Sequence, residues 1–93
     1  MIKSFADKLT ERFYITGTDK KLPSTIHRAA RRKLDYLQHA FELEDLRSPP
    51  GNRLEALKGD LAGKYSIRIN EQYRIVFAFD GHDAYDVQII DYH

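Results

Sequence analysis

Lys64-Tyr-Ser-Ile-Arg-Ile-Asn70 and, two residues later, Tyr73-Arg-Ile-Val-Phe-Ala-Phe79 decide the fold. Both runs alternate. Tyr65, Ile67 and Ile69 fall on one face of the first, with Ser66, Arg68 and Asn70 on the other. Tyr73, Ile75, Phe77 and Phe79 fall on one face of the second, with Arg74, Val76 and Ala78 opposite. A period of two is that of a strand with one face buried. The short polar link Asn70-Glu71-Gln72 makes the pair an antiparallel hairpin. A slip of one residue would carry every apolar side chain to the wrong face, so the pattern predicts Ile69 beside Tyr73. That register sets Arg68 opposite Arg74. Like charges directly opposed destabilise a sheet, and an anion between two guanidinium groups relieves the cost.

Downstream, Asp80-Gly81 is a tight-turn signal and Tyr85-Asp-Val-Gln-Ile-Ile90 reads as a third long strand. Its alternation predicts Tyr85, Val87 and Ile89 on the core face. Asp86, Gln88, Ile90 and Tyr92 then share the face of Arg74. Upstream, Arg53 to Leu57 reads as another strand, with Leu54 facing one way and Arg53, Glu55 and Leu57 the other. Lys58 to Gly63 is a loop whose two glycines tolerate positive φ. Ser48-Pro-Pro-Gly-Asn52 separates this sheet half from a helical half, since consecutive prolines stop a helix.

In the helical half, Pro23-Ser24-Thr25 starts a helix whose apolar stripe is Ile26, Ala30, Leu34, Leu37 and Phe41, spaced 4, 4, 3 and 4. Arg28, Arg31, Arg32 and Lys33 fall off the stripe. They read either as a solvated helix face or as a patch for RNA phosphates or an acidic partner. Leu43 to Leu46 forms one further short turn. Nearer the start, Asp7 caps a helix running to about Thr16, with Gly17 as its stop. Ile2 to Phe5 reads as a short first strand. His27, His39 and His82 read as surface residues.

The chain of 93 residues has a net charge of +1 and no cysteine. The length fits one α+β domain over residues 1–93, with N-terminal helices packed on a small, mainly antiparallel sheet. Without cysteine there is no disulfide framework and no thiolate metal site. No signal-peptide core and no spanning run occurs, so the expected compartment is the cytoplasm, with no membrane partner. No histidine or carboxylate spacing marks a metal site, and no phosphate loop or nucleophile elbow is present; no cofactor is expected. The charge is uneven. Every charged residue between Lys20 and Leu34 is basic, and every one from Asp80 onward is acidic.

Five stretches taken in order resemble one family. They are Met1-Ile-Lys-Ser-Phe5, Arg53-Leu-Glu-Ala-Leu-Lys-Gly-Asp60, Tyr65-Ser-Ile-Arg-Ile-Asn70, Tyr73-Arg-Ile-Val-Phe77 and Asp91-Tyr-His93. The chain is similar over its whole length to the HigB toxins of bacterial type II toxin–antitoxin pairs, within the RelE-like group. Ser48-Pro-Pro-Gly-Asn-Arg-Leu-Glu55 is closest to the GraT type. The resemblance implies an endoribonuclease that cuts mRNA in the ribosomal A site without a metal and so inhibits translation. The implied partners are the ribosome, mRNA and a HigA-like helix-turn-helix antitoxin, with operator DNA reached only through the antitoxin complex. Residue by residue, Lys58, Arg74, Asp91, Tyr92 and His93 match the family's functional positions.

Cleavage of this kind uses the ribose 2′-OH as nucleophile. It needs a base for that hydroxyl, an acid for the leaving 5′-oxygen, and positive charge for the phosphorane. His93 suits either proton role because an imidazole titrates near neutrality. Lys58 and Arg74 suit the phosphate, Tyr92 either stacking on a base or donating a hydrogen bond, and Asp91 either orienting His93 or holding the neighbouring backbone. Arg53, Arg68 and Asn70 are assigned to RNA and phosphate binding. One position departs from the pattern: many relatives carry histidine where this chain has Glu55. A carboxylate titrates near about 4.3 and is a weak base unless perturbed. Glu55 reads either as the replacement for that histidine or as an exposed strand residue, and the resemblance implies a weaker toxin than the members with two histidines. Two other classes fit the residues without the resemblance: an RNA- or ribosome-binding module that does not cleave, and a protein-interaction domain.

Overall fold

The computed structural model describes residues 1–92. The chain order is α1 (Lys8–Thr16), α2 (His27–His39), β1 (Glu55–Ala56), β2 (Tyr65–Arg68), β3 (Tyr73–Asp80) and β4 (Asp83–Asp91), with short 3-10 turns between. The four strands form one antiparallel sheet in the order β1-β2-β3-β4. The helices cover one face, and a single core joins both layers. Phe13 from α1, Ala30, Leu34 and Leu37 from α2, and Ile67, Ile75, Phe77 and Val87 from the sheet are all fully buried in it.

The expected hairpin is present in the expected register. Ile67 pairs with Ile75, and Arg68 with Arg74. The backbone N–H of Ile69 donates to the Tyr73 carbonyl at 2.9 Å. Asn70 holds the connection, its Oδ1 accepting from the backbone N–H groups of Gln72 (2.9 Å) and Tyr73 (2.7 Å). This is the local bonding that favours asparagine in turns. The α1 boundaries are also as read. Asp7 Oδ1 accepts from the Thr10 N–H at 2.8 Å, and Gly17 closes the helix at φ 82° with its N–H on the Phe13 carbonyl.

Five expectations need correction. The α2 stripe ends one turn early, because the chain turns extended at Ala40 (ψ 129°). Phe41 is therefore 62% exposed rather than core, and it stacks on His82 with ring centroids 3.7 Å apart. Lys33 is not on the solvated side with Arg28, Arg31 and Arg32: it is 5% exposed. The strand expected over Arg53–Leu57 shrinks to Glu55–Ala56, since Arg53 takes a left-handed conformation (φ 47°) that no strand accommodates. Ile2 to Phe5 forms no regular strand. It makes two isolated parallel bridges to β4, Ile2 with Ala84 and Phe5 with Val87.

The last correction lies in β4. Val76 pairs with Gln88 and Ala78 with Tyr85, so two residues, Asp86 and Val87, oppose Phe77. Asp86 is the extra residue of this bulge, at φ 52°. The alternation changes phase there. Ala84 faces the core and Tyr85 shares the side of Ala78, against the sequence expectation. Beyond the bulge the expected phase holds, with Ile89 opposite Ile75 and Ile90 opposite Arg74.

Candidate functional site

The site grows from the β2–β3 register. Arg68 and Arg74 stand side by side on the sheet face turned away from the helices. Arg74 is the more shielded, at 9% exposed. Its Nε donates to Ser66 Oγ at 2.9 Å, and its Nη2 donates to the Arg53 carbonyl at 2.8 Å. Glu55 Oε1 lies 3.4 Å from the same Nη2, on a half-exposed side chain. The Tyr92 ring centre lies 5.6 Å from the Arg74 guanidinium carbon, within cation–π range. Arg68 has a looser partner, Glu71 at 3.8 Å, whose carboxylate is almost wholly in solvent. An exposed pair of that length contributes little.

Two open hollows meet at Tyr92. The first, about 360 Å³, is lined by Arg53, Arg68, Asn70, Glu71, Arg74 and Tyr92. The second, about 320 Å³, is lined by Glu55, Ala56, Leu57, Lys58, Leu61 and Tyr92. One is rich in guanidinium groups and the other pairs Lys58 with apolar surface. Together they place a phosphate-suited pocket beside a surface on which a base can lie, with an aromatic ring between them. The sheet supplies Arg68, Arg74 and Glu55, and loops supply Arg53, Asn70 and Lys58.

Of the residues singled out in the sequence, Arg53, Glu55, Lys58, Arg68, Asn70, Arg74 and Tyr92 line these two hollows. Asp91 lines neither. It pairs with Tyr73 in the ladder, and its Oδ2 accepts from Gln72 Nε2 at 3.1 Å. His93 lies outside the described residues. Asn70 reaches the first hollow while its Oδ1 serves the hairpin, so its amide nitrogen is the atom it offers a ligand.

Four contributors were missed. Ser66 holds Arg74 from two residues before Arg68, a placement that the alternation alone makes visible. Glu71 was read only as a turn residue. Asn52 and Lys33 carry no sequence signal for the site. Asn52 is fully buried, and Lys33 Nζ donates to its Oδ1. Burial first, and then the neighbouring charges of Arg32 and Arg68, hold the Lys33 ammonium below the ordinary lysine range.

Comparison with known proteins fits this geometry. Residues 3–93 match the model of the HigB-like toxin family, described as the RelE-like toxin of the type II toxin–antitoxin system HigB. The chain belongs to the HigB-like toxins. Toxin HigB-1 of Vibrio cholerae serotype O1 is 49% identical to it over 78 residues, 83% of this chain and 82% of that protein. Endoribonuclease HigB of Proteus vulgaris is 32% identical over 93 residues, the full length of both. In fold, this HigB-like chain superposes on a chain of the YoeB-YefM complex from Staphylococcus aureus with a TM-score of 0.63. That match covers 100% of this chain and 98% of the other at 19% identity. No helix among the described residues is long and apolar enough to cross a membrane.

Proposed function

We propose that this HigB-like toxin is a ribosome-dependent endoribonuclease that cuts mRNA in the A site by attack of a ribose 2′-OH on the adjacent phosphorus. The observation that carries this reading is the placement of Arg68 against Arg74 with Tyr92 closing the same hollow. In this reading Arg74 and Arg68 hold the scissile phosphate, and Arg74 stabilises the phosphorane. Lys58 neutralises the leaving side from the second hollow, while Tyr92 stacks on a base between them. Arg53 and Asn70 contact the neighbouring backbone. His93 gives a proton to the leaving 5′-oxygen as its bond to phosphorus breaks, a role that rests on its place beside Tyr92 in the sequence and on the family match. Asp91 holds the backbone on which His93 is carried. These groups supply the proton transfer and charge that cleavage needs, and the scheme uses no metal.

Glu55 has two tasks in this reading. It is the base for the 2′-OH, and it occupies Arg74 until a phosphate displaces it, which makes the enzyme a modest one. The Ser48–Glu55 stretch supports a place with the GraT type. The name Endoribonuclease HigB, borne by a relative aligned over the full length, supports the ribonuclease reading. A HigA-like helix-turn-helix antitoxin is the proposed partner, with operator DNA bound through it and the cytoplasm as the working compartment. Co-expression with such an antitoxin is expected to restore growth that the toxin alone arrests.

The direct test programs purified ribosomes with a defined mRNA and maps cuts by primer extension. Cuts confined to the A-site codon are expected, abolished by His93→Ala and reduced by Glu55→Ala. Tight ribosome binding with no cut at any concentration would replace the nuclease with a binding module. Neither binding nor cuts would leave a protein-interaction domain.

A further inference from the structure

Behind the cleft, a buried polar pair touches no part of the substrate scheme yet ends on its central arginine. Lys33 on α2 donates to Asn52 Oδ1. Asn52 turns its amide nitrogen to the carbonyls of Leu46 (3.1 Å) and Ser48 (3.3 Å). Both polar atoms of its side chain are thereby engaged within a fully buried site. The next residue, Arg53, takes φ 47° and ψ 56°. This left-handed conformation is unfavourable for a residue with a Cβ and persists only where surrounding structure imposes it. The turn delivers the Arg53 carbonyl to Arg74 Nη2 at 2.8 Å. With Ser66 on Nε, two bonds on one edge then set the plane of the guanidinium.

We propose that Lys33 and Asn52 are positioning residues for Arg74: the buried pair locks the left-handed turn at Arg53, and that turn aims the Arg53 carbonyl at the Arg74 guanidinium. Neither residue touches RNA. Arg53 therefore has two separable parts, a side chain that lines the cleft and a carbonyl that orients its neighbour. The buried ammonium also adds positive potential behind Arg68. The consequence for RNA cleavage rests on the reading above, whereas the orientation of Arg74 does not.

The test separates the two. Exchange of the Arg74 Nε–H with water is followed by nitrogen-15 NMR, well below each variant's melting temperature. Slow exchange is expected in the wild type. Asn52→Leu is expected to speed it about tenfold, the scale of a lost hydrogen bond to a charged group. Lys33→Met is expected to speed it less. Adding Arg53→Gly to Asn52→Leu should slow exchange again, because glycine adopts the left-handed turn unaided. In the ribosome assay Asn52→Leu should lower kcat more than it raises KM. If Asn52→Leu does not fold, Lys33→Met carries the test. Exchange within about twofold of wild type in the folded variants would overturn the proposal, since hydrogen-bond loss at an ion exceeds that. Failure of Arg53→Gly to restore slow exchange would overturn the route through Arg53. Slow exchange in the wild type, lost in the variants, with no cleavage by any protein, would uphold the positioning and remove the nuclease.

Discussion

Among the charged residues that line the cleft, Arg74 is the most shielded and the most fully bonded. Two uncharged acceptors hold one edge of its guanidinium, and the Glu55 carboxylate 3.4 Å from Nη2 is the partner that an entering phosphate displaces. Arg74→Met is expected to lower kcat for A-site cleavage by about 10²–10³, the usual loss for one preorganised donor; single-turnover cleavage on programmed ribosomes measures it. Among the described residues Arg68 pairs with the distant Glu71, and it should act mainly through charge. Arg68→Ala should weaken RNA binding and flatten its dependence on log salt by about 0.7, the share of one phosphate contact on single strands, read from affinities over a salt series. Lys33 gives a pH signature. Its folded-state pKa is lowered, so the unfolded chain holds that proton more tightly and the charged form costs stability near neutrality. As pH rises from its lowered pKa toward the range where a free lysine titrates, the cost is relieved. The melting temperature of the wild type relative to Lys33→Met should therefore climb over that window, and parallel thermal melts would show whether it does.

At the level of strands and helices, what was legible followed from short-range periodicity. Arg68 against Arg74, and Tyr92 on their face, came from counting side chains by twos, since the hairpin parity is set by which residues must be buried. The phase change in β4 was not legible. At the bulge the Asp86 N–H donates to the Ser4 hydroxyl at 2.9 Å, a partner 82 positions away. The flanking run Tyr85-Asp-Val-Gln alternates as if nothing intervened. The same limit hid Lys33, whose helical position reads as solvated until Asn52 folds over it, and Phe41, which helical spacing continues past the true end of α2. The bulge makes its own prediction. Asp86→Val should cost about 1–2 kcal/mol, because a β-branched side chain is excluded from the left-handed region that the short polar aspartate tolerates, while Asp86→Gly should stay within about 0.5 kcal/mol of the wild type. Urea unfolding of the pair decides whether the backbone or the side chain sets that site.

Over the whole molecule, one core serves both layers, so the cleft is only as rigid as the packing beneath it. Leu34 lies fully buried on α2 between the two layers. Leu34→Ala should remove about 2–5 kcal/mol from a domain whose total is on the order of 5–15 kcal/mol. It should lower the melting temperature while leaving the codon pattern of any residual cleavage unchanged. The N-terminal segment and α1 close the outer edge of β4. Lys3 and Ala6 donate to the carbonyls of Ala84 and Val87, and Thr10 Oγ1 accepts from the Ile89 N–H at 3.0 Å. These bonds join residues about eighty positions apart, and they carry a temporal consequence. A ribosome releases the chain from its first residues onward, so the opening segment and α1 emerge with no strand to dock on. The wall formed by Tyr92 is absent until β4 has left the exit tunnel. The cleft thus cannot be completed on the growing polypeptide before the strand that closes it is out.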